Sequence, residues 1–211
     1  WMLNGNIIFF IKYLYLHLVK TDLGFPHKFL WKVKVPAKIK FFLWLLNKKS
    51  ILTRDNLLKR GWKGNKHCVF CGKEENIYHL FFSCSVARLV WSLVGCAFDL
   101  KNIPKDTDDC FGRWLNKFNK EDKKMVLTGT SALLWAIWNC RNDIVFGKKN
   151  INDLIGIVKR MCSWIIDWAI LQKKDPGERL LTLGARLIEQ VASVIFKASQ
   201  GWRFGVPRLQ M

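Results

Sequence analysis

Three cysteines and one histidine, Cys68, Cys71, His79 and Cys84, form the pattern Cys-x2-Cys-x7-His-x4-Cys within seventeen residues. Soft thiolates joined by an imidazole are the donor set that suits a tetrahedral zinc ion. The Cys-x2-Cys pair turns at Gly72, which lets two sulfurs chelate one ion from a tight knuckle. The four-residue gap places His79 and Cys84 about one turn apart if that segment is helical. Four protein ligands fill the coordination shell and leave no position for a metal-bound water, so the role expected of one such ion is structural. His67, next to Cys68, is the substitute imidazole. Glu75 and His79 lie four apart, as on a zincin helix, but the second histidine of that motif is absent.

The residues that must position this knuckle are strongly basic. The 211-residue chain carries a formal net charge of +19. From Pro26 to Lys66 it has twelve Lys or Arg against the single acid Asp55, a local excess of +11. Ordinary solvated faces mix both signs, so a one-sign run points to a polyanionic partner, with nucleic acid before an anionic membrane. Lys38, Lys40, Lys48, Lys49, Arg54, Lys59, Arg60, Lys63 and Lys66 are the candidate phosphate contacts. Trp62, flanked by Lys63 and Lys66 in a polar loop, is the candidate base-stacking residue; Trp31 and Trp202 read more readily as core. The competing reading is a basic face that docks an acidic protein.

Half the residues are hydrophobic and eleven are Trp, which requires an aromatic-rich core. Four further cysteines, Cys96, Cys110, Cys140 and Cys162, have no framework spacing and read as small buried hydrophobes in a reducing compartment. The apolar stretch from Ile7 to Val19 is interrupted by Lys12 and His17 and is too short to span a bilayer. No signal peptide is evident, so the expected location is intracellular, nucleus or cytoplasm, without a membrane.

In chain order, a helix is expected over 10–20, and Trp31 to Val35 alternates apolar and basic residues as an extended segment would. Pro36 stops it. A helix follows with Ile39, Phe42, Leu43 and Leu46 as its core stripe. Thr53 reads as the N-cap of a short helix, with Leu52 stapled to Leu57 and Gly61 as its left-handed exit. Helical spacing then runs from Ile77 to Val94. Residues 95–120 read as a loop with short helical turns, 121–146 as a long buried helix ending at Gly147, and Asn150 as the cap of another. A last amphipathic helix is expected from about Arg179 to Ala198. The fold class is therefore mainly α: a small irregular helical domain with one zinc knuckle, followed by a helical C-terminal extension. The division expected is an N-terminal segment over 1–24, the knuckle domain over 25–95, a linker over 96–120 and a helical region over 121–211.

The order Phe29-Leu-Trp31, Pro36, Trp44, Leu52-Thr53-Arg54-Asp55-Asn56-Leu57, Cys68-x2-Cys71, His79-Leu80-Phe81-Phe82-x-Cys84 and Trp91 resembles the zinc-binding domain found after the polymerase in plant LINE-type (non-LTR) retrotransposon reverse transcriptases. The segment Leu134 to Phe146, with Trp135, Trp138 and Arg141-Asn142-Asp143, is similar to the stretch downstream of that domain in those proteins. The resemblance implies that Cys68, Cys71, His79 and Cys84 are the ligands. It also implies an accessory domain that contacts RNA or DNA without sequence preference, or docks on the polymerase. No Tyr-x-Asp-Asp polymerase motif is present, and nothing after Phe146 supplies the spaced acids of a ribonuclease H. The expectation is a non-enzyme, a detached piece of a retroelement or a host protein derived from one.

Overall fold

The structure is a computed structural model and describes residues 29–147, 154–172 and 175–204. The segment 1–24, the helix expected over 10–20 and the Asn150 cap lie outside these residues. The principal helices are α1 Phe29–Lys32, α2 Ala37–Asn47, α3 Arg54–Lys59, α4 Ser85–Ala97, α5 Lys120–Val145, α6 Leu154–Ala169 and α7 Asp175–Phe204. A π turn, His79–Ser83, precedes α4; a second, Cys110–Trp114, and the 3-10 turn Leu115–Lys117 lie between α4 and α5. The class is mainly α. Among the described residues β pairing is confined to one isolated bridge, His67 with Glu74, inside the knuckle.

Each helix buries the face its sequence marks. On α2, Ile39, Phe42, Leu43 and Leu46 are all buried, and Pro36 sits at the N-cap, where a missing N–H costs nothing. Immediately before it the expected extended segment is only partly so, because Trp31 and Lys32 complete α1. The alternation nevertheless holds in burial: Val33 and Val35 go inside while Lys32 and Lys34 stay in water. Asn119 caps α5, its side chain accepting from the N–H groups of Glu121 and Asp122.

Aromatic side chains carry the core from the basic segment to the helical body. Phe42 of α2 meets Trp135 of α5 edge-on at 5.0 Å and Phe81 of the π turn at 6.1 Å. Trp135 continues to Trp164 of α6 at 6.3 Å, and Trp91 of α4 reaches Trp114 at 5.9 Å. Such pairs add about 0.5–1.5 kcal/mol each beyond the area they bury.

Residues 96–120, expected as a linker, are folded into this same core. Cys110, Phe111, Trp114 and Leu115 are buried, and the Trp114 indole donates to the Asn102 carbonyl. The local polarity of Asp106-Thr107-Asp108-Asp109 hides a turn that is apolar on its inner side. The last helix also starts earlier than expected, at Asp175. Pro176 lies in its first turn, a position where Pro needs no hydrogen-bond partner. Of the four non-ligand cysteines, Cys110 and Cys162 are buried, and burial pushes the Cys162 thiol up to about 12. Cys96 is exposed on α4 instead of filling the core. No helix among the described residues is long and apolar enough to cross a membrane.

Candidate metal centre

The knuckle is built by a short two-sided loop. The Cys68 N–H donates to the Lys73 carbonyl at 2.6 Å, the Gly72 N–H returns to the Cys68 carbonyl at 2.9 Å, and the Glu75 N–H reaches the Lys66 carbonyl at 2.9 Å. Gly72 turns the chain at φ +73°, a conformation that costs a side-chain-bearing residue roughly 1 kcal/mol. Cys68 and Cys71 thereby point to one side.

The other two donors bracket the π turn: His79 opens it and Cys84 follows it. Five residues along a regular α-helix rotate the chain by about 500°, which would leave His79 and Cys84 about 140° apart. Here the Cys84 N–H donates to the His79 carbonyl at 2.7 Å, an i to i+5 bond, so the x4 spacing closes one π turn and not an α turn. Cys84 itself is extended (φ −60°, ψ 145°) and begins α4. The placement of both ligands inside the first turns of one continuous helix is thus corrected: the turn and the helix are separate, and the break lies at Cys84. Asn76 starts the turn by accepting from the His79 N–H at 2.8 Å.

These elements bring together Cys68, Cys71, His79 and Cys84, with every donor atom within 4.8 Å of the others. Cys68 Sγ and Cys71 Sγ each lie 3.8 Å from Cys84 Sγ, and Cys71 Sγ lies 3.1 Å from His79 Nε2. Zinc–sulfur bonds of about 2.3 Å in a tetrahedron give sulfur–sulfur edges of about 3.8 Å, so the set fits one zinc ion. Ser83 Oγ lies 3.4 Å from His79 Nδ1, which leaves Nε2 for the metal. The hydrogen bond from Cys68 is the first cause that draws the Cys84 thiol down, and the same bond pushes the Cys68 thiol up. His67 is not part of it; its ring and its N–H both turn to Asn65 Oδ1, at 2.7 and 2.8 Å.

Glu75, between the two ligand pairs, is a residue whose role the sequence did not reveal. Its side chain is fully buried. Oε1 accepts from the Arg54 N–H at 3.0 Å and from Arg141 Nη2 at 2.7 Å; Oε2 accepts from Arg141 Nε at 3.3 Å. Glu75 therefore caps α3 and ties the knuckle to α5 at once. The expected N-cap, Thr53, is displaced from that task. Its hydroxyl bonds Asp55 Oδ1 and the Ile51 carbonyl, while Leu52 is exposed. Two acids, Glu74 and Glu75, inside the ligand loop of a basic region are the hint the sequence offers. Nothing local distinguishes the buried one from its exposed neighbour, because its partner is 66 positions away.

The candidate nucleic-acid residues fall into two groups. Lys38, Lys48, Lys49, Lys59, Arg60, Lys63 and Lys66 are exposed, as is Trp62. Lys49 pairs with Asp108 at 2.8 Å, Lys59 with Asp55 at 3.4 Å, and Lys66 with Glu74. Lys38, Arg60 and Lys63 make no ion pair among the described residues. Lys40 and Arg54 are half-buried. Lys40 Nζ donates to the Trp31 carbonyl at 3.0 Å, and desolvation, then Lys34, lowers its pKa. Arg54 Nη1 donates to the Asn65 carbonyl at 2.6 Å, as a strut across the knuckle loop.

Residues 9–91 match the family described as zinc-binding in reverse transcriptase. An Arabidopsis thaliana protein named as a putative ribonuclease H protein is 32% identical over 63 residues, covering 29% of this chain. The match spans 10% of that protein's length. No solved structure matches the chain.

Proposed function

We propose that the zinc-binding domain of reverse-transcriptase type carried by residues 9–91 serves as a non-catalytic accessory module that holds nucleic acid through its basic segment. The observation that supports this most is the one-sign run from Pro26 to Lys66 together with the exposure of seven of its candidate cations. The closed four-donor shell supports the non-catalytic part, since no coordination position is left for a reacting water. The contribution of each cation to binding is phosphate neutralisation with release of counterions, so affinity is insensitive to base sequence and sensitive to salt. Lys38, Arg60 and Lys63 need break no ion pair among the described residues to do this, whereas Lys49, Lys59 and Lys66 exchange an internal carboxylate for a phosphate.

The test is a titration of the whole chain with a labelled oligonucleotide at several salt concentrations. Engagement of about four phosphates predicts a loss of roughly a hundred-fold in affinity between about 50 and 200 mM salt. Affinity that stays flat over that range, or a complex with an acidic protein that survives nuclease and salt, sinks the proposal.

A further inference from the structure

We infer that Trp62 is a stacking platform for an unpaired nucleobase, so that the basic segment takes single-stranded in preference to duplex nucleic acid; this rests on the nucleic-acid reading above. Three observations carry it. First, the indole is held in place. The Gly61 N–H donates to the Leu58 carbonyl at 2.9 Å and the Trp62 N–H to the Leu57 carbonyl at 3.1 Å, a Schellman pair that fixes the direction in which the chain leaves α3. Second, one face of the ring lies directly on Gly64: a Cβ added there would stand 1.8 Å from Trp62 Cζ2 and 2.0 Å from Cη2. A glycine at 64 is what allows the ring to lie flat on the loop. Third, the rest of the indole is open to water, with Trp62 42% exposed, and the residues beside it, Arg60 and Lys63, are exposed cations without an ion pair among the described residues.

A large aromatic surface that is immobilised on one face and wet on the other has no packing role on its open side. Bracketed by cations, it offers what single-strand binders use: a π face for any base, with phosphate contacts on either flank. In duplex nucleic acid the bases are stacked on each other and do not present a face to the ring.

The experiment compares a thymidine oligomer with a duplex of equal length, using the native chain, Trp62→Ala, Trp62→Tyr and Gly64→Ala. The Gly64→Ala change keeps every charge and the indole itself but must push the ring off its seat. The expected result is a loss of roughly tenfold or more in single-strand affinity for Trp62→Ala, a partial loss for Gly64→Ala and recovery in Trp62→Tyr, with an unchanged salt slope and duplex affinity within about twofold. Equal losses on single strand and duplex, or no loss in Trp62→Ala, overturn the stacking role while leaving the basic interface standing. A native chain that binds neither oligomer overturns both.

Discussion

Chelating the metal from the native chain is expected to unfold the region from about residue 54 to residue 84 and to shift the thermal transition of the whole molecule downward. The four ligands lie on two pieces of chain, the knuckle and the π turn, and no strand or long helix links them. Within that stretch regular structure is limited to the short α3, one isolated bridge and the π turn. Cys68, His79 and Cys84 are buried, so three of the four donors lie under the knuckle, away from water. Structural zinc in small modules contributes on the order of 10 kcal/mol, a large effect for a domain whose net stability is commonly about 5–15 kcal/mol. Hydrogen exchange with and without a strong chelator checks this residue by residue. Loss of protection over 54–84 on chelation is the expected result, and unchanged protection there would mean that packing alone holds the knuckle. The basic segment should lose its nucleic-acid affinity in the same titration, because Arg54 Nη1 and the Lys66 carbonyl are bonded into the loop that collapses.

The second large effect belongs to Glu75 and Arg141. Both side chains are almost wholly removed from water, at 0% and 4% exposure, and the guanidinium grips the carboxylate through two nitrogens. Arg141 also donates to Asn142 Oδ1 at 3.0 Å and lies 5.2 Å from the Trp138 ring centre. Removing one partner leaves a buried charge without its counterion, which costs about 3–5 kcal/mol. Glu75→Ala should cost the most, since it also uncaps α3, a further loss of about 1 kcal/mol. Arg141→Lys should not rescue the pair, because an ammonium lacks the planar fork that meets both oxygens. The double change Glu75→Leu with Arg141→Met should recover much of the loss, since an apolar pair tolerates the same site. Denaturant midpoints on zinc-loaded protein decide the matter: a cost below about 1 kcal/mol for Glu75→Ala would show that the pair does not hold the two parts together.

Features set by local rules were legible in the sequence. The α2 stripe of Ile39, Phe42, Leu43 and Leu46 follows from helical period, Gly72 from the need for a tight turn, and the clustering of Cys68, Cys71, His79 and Cys84 from donor type and spacing. The π turn is a subtler case. The His-x4-Cys spacing is i to i+5, which an α-helix cannot bring to one side, so the spacing itself argues for a wider turn; the expectation of one regular helix overlooked that geometry. Partners distant along the chain could not be read. Thr53 has the right type and place for an N-cap, yet the buried carboxylate of Glu75 supplies a stronger acceptor and takes the position. Lys40 and Arg54 look like neighbouring surface cations by composition, but their heads are engaged by the Trp31 and Asn65 carbonyls. The stretch 96–120 looks like a linker because its acids are local and visible, whereas the packing of Trp114 against Trp91 depends on α4 folding back.

The zinc content of purified native chain beside Cys71→Ser and Cys84→Ser, measured by native mass spectrometry with elemental analysis, tests the central assignment most directly. One zinc per native chain, and its loss from both variants, is the predicted result. Full occupancy in either variant, or a native chain that binds no zinc, would contradict it.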